Sequence, residues 1–350
     1  MIDVGNAATN HPTTPEPGVE SPQGPVRIGL LEPGQRLPLL VQPAHADVDA
    51  VRWAESRRDW ISERLREHGG LLFRGFPIGG VGEFESLIKA ISGELLEYKE
   101  RSSPRHSVAG RIYTSTDYPP SQPIFLHNEN SYQHTWPRRI FFYCAVPAEK
   151  GGETPIADTR RVYERVDPEV RERFARKGWM YVRNFGDGFG LTWQTVFQTE
   201  DRALVEEHCR HNGIEFEWKK GGGLRTRARR NAIARHPETG EMIWFNHATF
   251  FHVSTLPELI QEALLMQFEA DDLPANSYYG DGSPIEPEVL DHLRACYDAE
   301  TVRFAWEKDD LLLLDNMMVA HGRDPYAGDR KILVAMSHPT GWDDIDAGAA

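Results

Sequence analysis

Apolar residues recur with a helical rhythm at Val48, Val51, Trp53, Ile61 and Leu65 and stop at Gly69-Gly70, so the spacing predicts a helix over 48–68. Residues 71–76 then read as a strand and 84–95 as a second helix. Three unbroken apolar runs, at 140–146, 311–314 and 332–336, read as buried strands. Helical segments near 161–177, 203–212, 257–268 and 287–297 fall between them, and no internal repeat is visible. The pattern is mainly β with flanking helices and long insertions between strands. Residues 1 to about 25 carry Pro12, Pro15, Pro17, Pro22 and Pro25 among polar neighbours. Such a stretch buries too little apolar surface to offset its ordering entropy, which predicts a disordered tail. A short C-terminal tail is expected over 343–350.

At 350 residues and 40% apolar content the chain can build a sizeable core. Its net charge of −14 argues against a nucleic-acid surface or an anionic membrane as partner, since both require clustered cations. One basic cluster, Arg225-Thr-Arg-Ala-Arg-Arg230, is the exception. It reads as a solvated face or flexible lid, or as a surface that meets an acidic acyl or peptidyl carrier protein. Cys144, Cys209 and Cys296 lie far apart without a CxxC pair, so neither a disulfide framework nor a zinc site is implied, and a reducing cytoplasm is the simplest setting. No apolar stretch is long enough to span a membrane, and no signal-peptide pattern precedes the first element.

The candidate chemistry sits on Ile124-Phe-Leu-His-Asn-Glu-Asn-Ser-Tyr132. A His and a carboxylate two residues apart on an extended segment point the same way and can offer one nitrogen and one oxygen to a single ion. Alone, His127 and Glu129 are equally compatible with a half-exposed polar strand. His321, just beyond the run 311–314 and beside Gly322, is a second His that would complete a 2-His-1-carboxylate set for Fe(II). Gly151-Gly-Glu-Thr-Pro155 adds a turn and the Thr154 hydroxyl. Arg330, at the start of the last strong strand, can clamp a carboxylate bidentately.

Through Leu126-His-Asn-Glu-Asn-Ser-Tyr132, Gly151-Gly-Glu-Thr-Pro-Ile-Ala-Asp158, Trp244-Phe-Asn246 and the stretch from Asp315-Asn316 to Met336, the chain resembles the taurine dioxygenase superfamily of Fe(II)/2-oxoglutarate-dependent oxygenases. Within it, the chain is most similar to the branch of nonribosomal-peptide pathways typified by the syringomycin-pathway aspartyl hydroxylase. The resemblance implies a double-stranded β-helix (jelly-roll, cupin-like) core with helical insertions, built as one oxygenase domain over 26–342 with the insertion around 160–300. It implies that His127, Glu129 and His321 ligate Fe(II), that Thr154 and Arg330 bind the distal carboxylate of 2-oxoglutarate, and that O2 is consumed with release of succinate and CO2. Many relatives carry a further arginine four residues after the cosubstrate arginine. Here that position is Val334, so an anion clamp of the taurine kind is missing. Halogenating relatives replace the carboxylate ligand with a small residue, and the presence of Glu129 favours hydroxylation.

The expected substrate is an amino acid or amino-acid-derived unit, free or carrier-bound, in secondary metabolism. Desaturation, epimerisation or cyclisation with the same cofactors is the alternative, and a non-catalytic β-barrel scaffold is the alternative of another class. Asn130, Ser131 and Asn246 are candidate substrate contacts, whereas Asn128 is expected to project away from the ligands. Trp244 and Phe245 fit core as well as they fit a pocket. His247 and His252 are expected to be hydrogen-bonded or solvated, with no second metal. Arg323 either supports the iron-site carboxylates or forms a structural ion pair, and Arg74 is expected to tie the N-terminal segment to the core.

Overall fold

The computed structural model describes residues 24–96, 107–115, 118–186 and 190–345. The predicted N-terminal tail lies, up to residue 23, outside the described residues. Of the predicted C-terminal tail, only 343–345 are described, and Trp342–Asp344 form a 3-10 turn there in which Asp344 accepts from the Gly341 N–H.

Eight strands form the larger sheet, in the order Val26–Leu30, Leu39–Pro43, Gly70–Phe73, Leu311–Asp315, Thr135–Val146, Lys331–Gly341, Ile112–Thr114 and Ser107–Ala109. A smaller sheet of Thr301–Val302, Ile156–Asp158, Val319–Arg323 and Ile124–His127 faces it. Together they make the jelly-roll core of a double-stranded β-helix. Leu312, Leu314, Phe142, Ile332 and Val334 meet Ile156 and Val319 between the sheets. Leu311, Leu313, Phe141 and Leu333 face the other way, under Ile61, Leu65 and Phe84. Both faces of the larger sheet are therefore dry, which is why its central strands read as unbroken apolar runs. Each leucine so buried stabilises the fold by roughly 1.5–3 kcal/mol.

Two predicted helices are split. The first becomes Ala50–Ser56, capped by Asp49, and Arg58–His68, which stops at left-handed Gly69 (φ 77°). A side chain at Gly69 would stand 2.7 Å from Val319 Cγ2, so glycine is required there twice over. Helix 161–177 becomes Thr159–Arg165 and Pro168–Lys177. Pro168, lacking an N–H, begins a new helix behind the Asp167 cap.

The predicted helical insertion also holds an antiparallel sheet, in the order Ile214–Trp218, Leu224–Arg230, Trp179–Phe185 and Ala275–Tyr279. The basic cluster is one of its strands, not a lid or a free solvated face. Thr226 and Ala228 point inward while Arg225, Arg227 and Arg229 alternate outward. Those three pair with Asp272, Glu217 and Glu215 respectively, and buried Arg230 donates to the Tyr132 carbonyl. The cations are offset within the chain, so they make no surplus positive patch for an acidic partner. Arg74, at the end of Gly70–Phe73, holds the loop before the central leucine strand through a 2.6 Å ion pair to buried Asp310.

Candidate active site

His127 and His321 are direct cross-strand neighbours in the smaller sheet, with ring centroids 4.5 Å apart. The approach depends on Gly322, where a Cβ would stand 2.6 Å from the Ile124 carbonyl oxygen. His127 Nδ1 lies 2.9 Å from the Phe125 carbonyl; a carbonyl only accepts, so Nδ1 carries the proton and Nε2 keeps its lone pair.

Glu129 does not continue the strand, contrary to the two-residue extended geometry expected for the pair. The chain leaves the sheet after His127 and turns through Asn130 (φ 59°), a left-handed position that Asn tolerates. What aims Glu129 is Asn316. Its Oδ1 accepts the Glu129 N–H at 2.7 Å, and its Nδ2 donates to the Glu129 and Pro137 carbonyls at 2.9 and 2.8 Å. Asn128 completes the brace by donating to the Asn316 carbonyl, away from the ligand side as expected. One donor atom from each of His127, Glu129 and His321 then lies within 4.8 Å of the others. Two imidazoles and one carboxylate on one side of a cavity can hold Fe(II) and leave positions open opposite them.

A narrow cavity runs from His127 and His321 to Thr154 and Arg330. The Thr154 hydroxyl accepts from Trp306 Nε1 at 3.1 Å and lies 3.4 Å from an Arg330 terminal nitrogen. Arg330 Nε donates to the Gly152 carbonyl, so the fork is held in place by backbone. No carboxylate among the described residues lies within ion-pair distance of Arg330. Burial, and then the neighbouring Arg323 cation, pull its guanidinium down to about 10. The Tyr326 ring lies between the two cations, 5.3 Å from Arg323 and 5.4 Å from Arg330. A cation short of negative charge, 3.4 Å from a hydroxyl in a narrow cavity, fits the far carboxylate of a dicarboxylate. Among the described residues Arg323 neither braces the iron-site carboxylate nor makes an ion pair. It donates to the carbonyls of Tyr118, Pro119 and Gln122 and fixes the loop that leads into the His127 strand. Val334 lines the same cavity and contributes no charge.

The family model for the taurine catabolism dioxygenase TauD, TfdA family matches residues 34–336. The chain belongs to that family. It is therefore a non-haem Fe(II)/2-oxoglutarate-dependent dioxygenase that consumes O2, not a scaffold, and the residues described above suit both the metal and the cosubstrate. The dapdiamide synthesis protein DdaC of Enterobacter agglomerans is 43% identical over 279 residues, 80% of this chain and 85% of that one. A clavaminate synthase-like protein of Arabidopsis thaliana is 28% identical over 93% of this chain and 95% of its own. Among solved structures, PvcB, an Fe, alpha-ketoglutarate dependent oxygenase from an isonitrile synthetic pathway, shares the fold at a TM-score of 0.55. It is 17% identical and aligns over 92% of this chain and 94% of its own. Among the described residues no helix is long and apolar enough to cross a membrane.

A second space opens beside the ligand cluster. This cavity, of about 350 Å³, is walled by Phe125, Phe250 and Phe251 and touches His127, Glu129 and Asn130. Of the candidate substrate contacts, Asn130 lines this cavity. Ser131 is not on its wall; its hydroxyl is 2.5 Å from His247 Nδ1. Asn246 is not on the wall of this cavity; its amide donates to the Ala232 carbonyl and accepts from the Ala248 N–H. His247 and His252, expected to be hydrogen-bonded, are so, and both also line the cavity. Sequence reading gave no role to Asn316, named only as part of a motif, and did not single out Trp306. The Asp-Asn pair closing the leucine run was the available signal for the first, since a buried amide at a strand end needs partners.

Proposed function

We propose that His127, Glu129 and His321 hold Fe(II), that Thr154 and Arg330 take the distal carboxylate of 2-oxoglutarate, and that the enzyme hydroxylates an unactivated C–H bond of an amino-acid-derived small molecule in secondary metabolism. The observation that carries the reading is the His127–His321 cross-strand pair with Glu129 braced against it by Asn316. Bound iron and 2-oxoglutarate supply O2-dependent oxidising power, with succinate and CO2 as coproducts. The protein's part is placement. His127 presents Nε2 because Phe125 takes Nδ1–H, Asn316 fixes the Glu129 backbone, and Arg330 orients the cosubstrate by its far end. The aromatic walls keep bulk water from the substrate side. Setting in natural-product synthesis is supported by the 43% identity to a dapdiamide synthesis protein. The whole described core from residue 26 to 342 serves as one oxygenase unit in this reading, acting on its substrate in the cytoplasm.

The test is anaerobic addition of Fe(II) and 2-oxoglutarate, which is expected to give the weak visible charge-transfer band, followed by O2 and detection of substrate-dependent succinate. His127→Ala is expected to abolish both signals, and O2-dependent turnover by that variant would sink the ligand assignment. Product mass separates hydroxylation, a gain of one oxygen atom, from desaturation or cyclisation, a loss of two hydrogens.

A further inference from the structure

A carboxylate only accepts hydrogen bonds, so the Thr154 hydroxyl serves the far end of 2-oxoglutarate by donating its own hydrogen while its lone pairs face other donors. Backbone contacts fix where Thr154 sits. The Gly152 N–H donates to the Pro325 carbonyl at 3.0 Å, the Asp324 N–H to the Glu153 carbonyl at 3.0 Å, and the Gly322 N–H to the Pro155 carbonyl at 2.9 Å. None of these reaches the side chain, whose rotation about χ1 decides whether the hydroxyl or the methyl group meets Arg330. The group that selects the rotamer is the Trp306 indole, whose Nε1–H donates to Thr154 Oγ1 at 3.1 Å from 152 residues away. The same oxygen then stands 3.4 Å from an Arg330 terminal nitrogen.

Trp306 is itself clamped. Its ring is buried in one cluster with Ile332 and Val334, two residues on the wall of the narrow cavity, and it meets the Phe304 ring edge to face at 5.2 Å. Arg74 grips both of its chain neighbours. One terminal nitrogen donates to the Ala305 carbonyl at 2.7 Å, and the other pairs with the Glu307 carboxylate at 3.0 Å. The same guanidinium holds buried Asp310 at 3.0 and 2.6 Å, and Asp310 in turn accepts the Glu307 N–H at 2.8 Å. The loop that carries the indole is therefore fixed from both sides, and its N–H reaches Thr154 from a preset position.

We propose that Trp306 is a positioning residue for the cosubstrate, acting through Thr154: its N–H holds the hydroxyl beside Arg330 and leaves the hydroxyl's own hydrogen for the distal carboxylate. The proposal rests on the reading of Thr154 and Arg330 as the pair that takes that carboxylate. Trp306→Phe keeps most of the apolar contact and removes the donor. The Thr154 oxygen then has one donor fewer, and rotamers that turn the hydroxyl away from Arg330 compete with the productive one. What is lost is the preference set by one neutral hydrogen bond, about three- to tenfold in 2-oxoglutarate affinity. The indole N–H contributes only while the hydroxyl is present, so the two side chains are coupled and not additive.

A double-mutant cycle on the full chain tests this without turnover. The Kd of 2-oxoglutarate is read from anaerobic titration of the visible band on Fe(II)-loaded protein, for the parent, Trp306→Phe, Thr154→Val and the double variant. Trp306→Phe is expected to raise Kd about three- to tenfold with Fe(II) affinity kept within about twofold, and Thr154→Val to raise it at least as much. In the Thr154→Val background, Trp306→Phe is expected to add less than about twofold. Replacing Trp306 by 3-benzothienylalanine, which keeps the two-ring shape and loses only the N–H, is expected to reproduce the effect and covers a failure of Trp306→Phe to fold. Unchanged Kd in both position-306 variants, or an undiminished effect of Trp306→Phe in the Thr154→Val background, overturns the proposal while the carboxylate reading stands. Unchanged Kd in Thr154→Val overturns the reading of Thr154 itself, and the proposal falls with it.

Discussion

Asn316→Ala strikes the brace that aims Glu129. The substitution removes three hydrogen bonds and strands the Glu129 N–H, the Glu129 carbonyl and the Pro137 carbonyl at a fully buried position. A neutral hydrogen bond contributes about 1 kcal/mol net, and a buried group left unpaired costs about 1–3 kcal/mol. Water entering the vacated space recovers part of the loss, so destabilisation of roughly 3–5 kcal/mol is expected. For a chain of this size that lowers Tm by about 6–10 °C. Loss of such a support to a ligand also weakens metal binding by about 10–100-fold. Thermal unfolding of the metal-free protein reads the first effect, and anaerobic calorimetric titration with Fe(II) reads the second. Asn316→Asp is the control, since it keeps the acceptor for the Glu129 N–H but loses both donors. Metal affinity within about twofold of the parent, with Tm nearly unchanged, would refute the argument that Asn316 positions Glu129.

Three further outcomes follow from the same geometry. Arg330→Gln is expected to weaken 2-oxoglutarate binding by about 10²-fold while leaving Fe(II) affinity intact, as read from titrations of the visible band; a loss below about threefold would mean the carboxylate binds elsewhere. Gly322→Ala puts a methyl 2.6 Å from the Ile124 carbonyl and is expected to push the His127 and His321 strands apart, lowering both Tm and metal affinity; intact metal affinity would show that the pair does not need the close approach. Asp315 supplies a pH dependence. Burial alone would raise its carboxyl, but the hydrogen bond and charge of His236, the Arg138 cation and the Met318 N–H hold it below the ordinary range. A depressed folded value gives stability that is present above the unfolded pKa of about 3.9 and is lost as pH falls through the folded one. Denaturant midpoints are therefore expected to hold down to about pH 4 and to decline below it, and Asp315→Asn is expected to flatten that acid limb while lowering stability at neutral pH.

Much of the fold is legible in local pattern. The runs at 140–146, 311–314 and 332–336 are strands because apolar residues on both sides leave no polar face, and the helix before Gly69 ends where a left-handed residue is needed. The Asp167-Pro168 break was also present as a signal, though helical periodicity on either side masked it. Leu224–Arg230 was missed for a different reason: its period of two is plain, but a high density of arginine reads as solvated surface until acids on neighbouring elements are known to face it.

The sequence alone determined which groups are available: two imidazoles, a carboxylate, a hydroxyl and a guanidinium at fixed places in the chain, with glycines where backbones must approach. Tertiary structure decided how they are used. Glu129 is aimed by Asn316 from 187 residues away, and Arg330 is left short of an acid by its burial beside Arg323. Hydrogen-bond direction and local charge balance depend on which atoms lie within about 3 Å, and spacing along the chain does not contain that information.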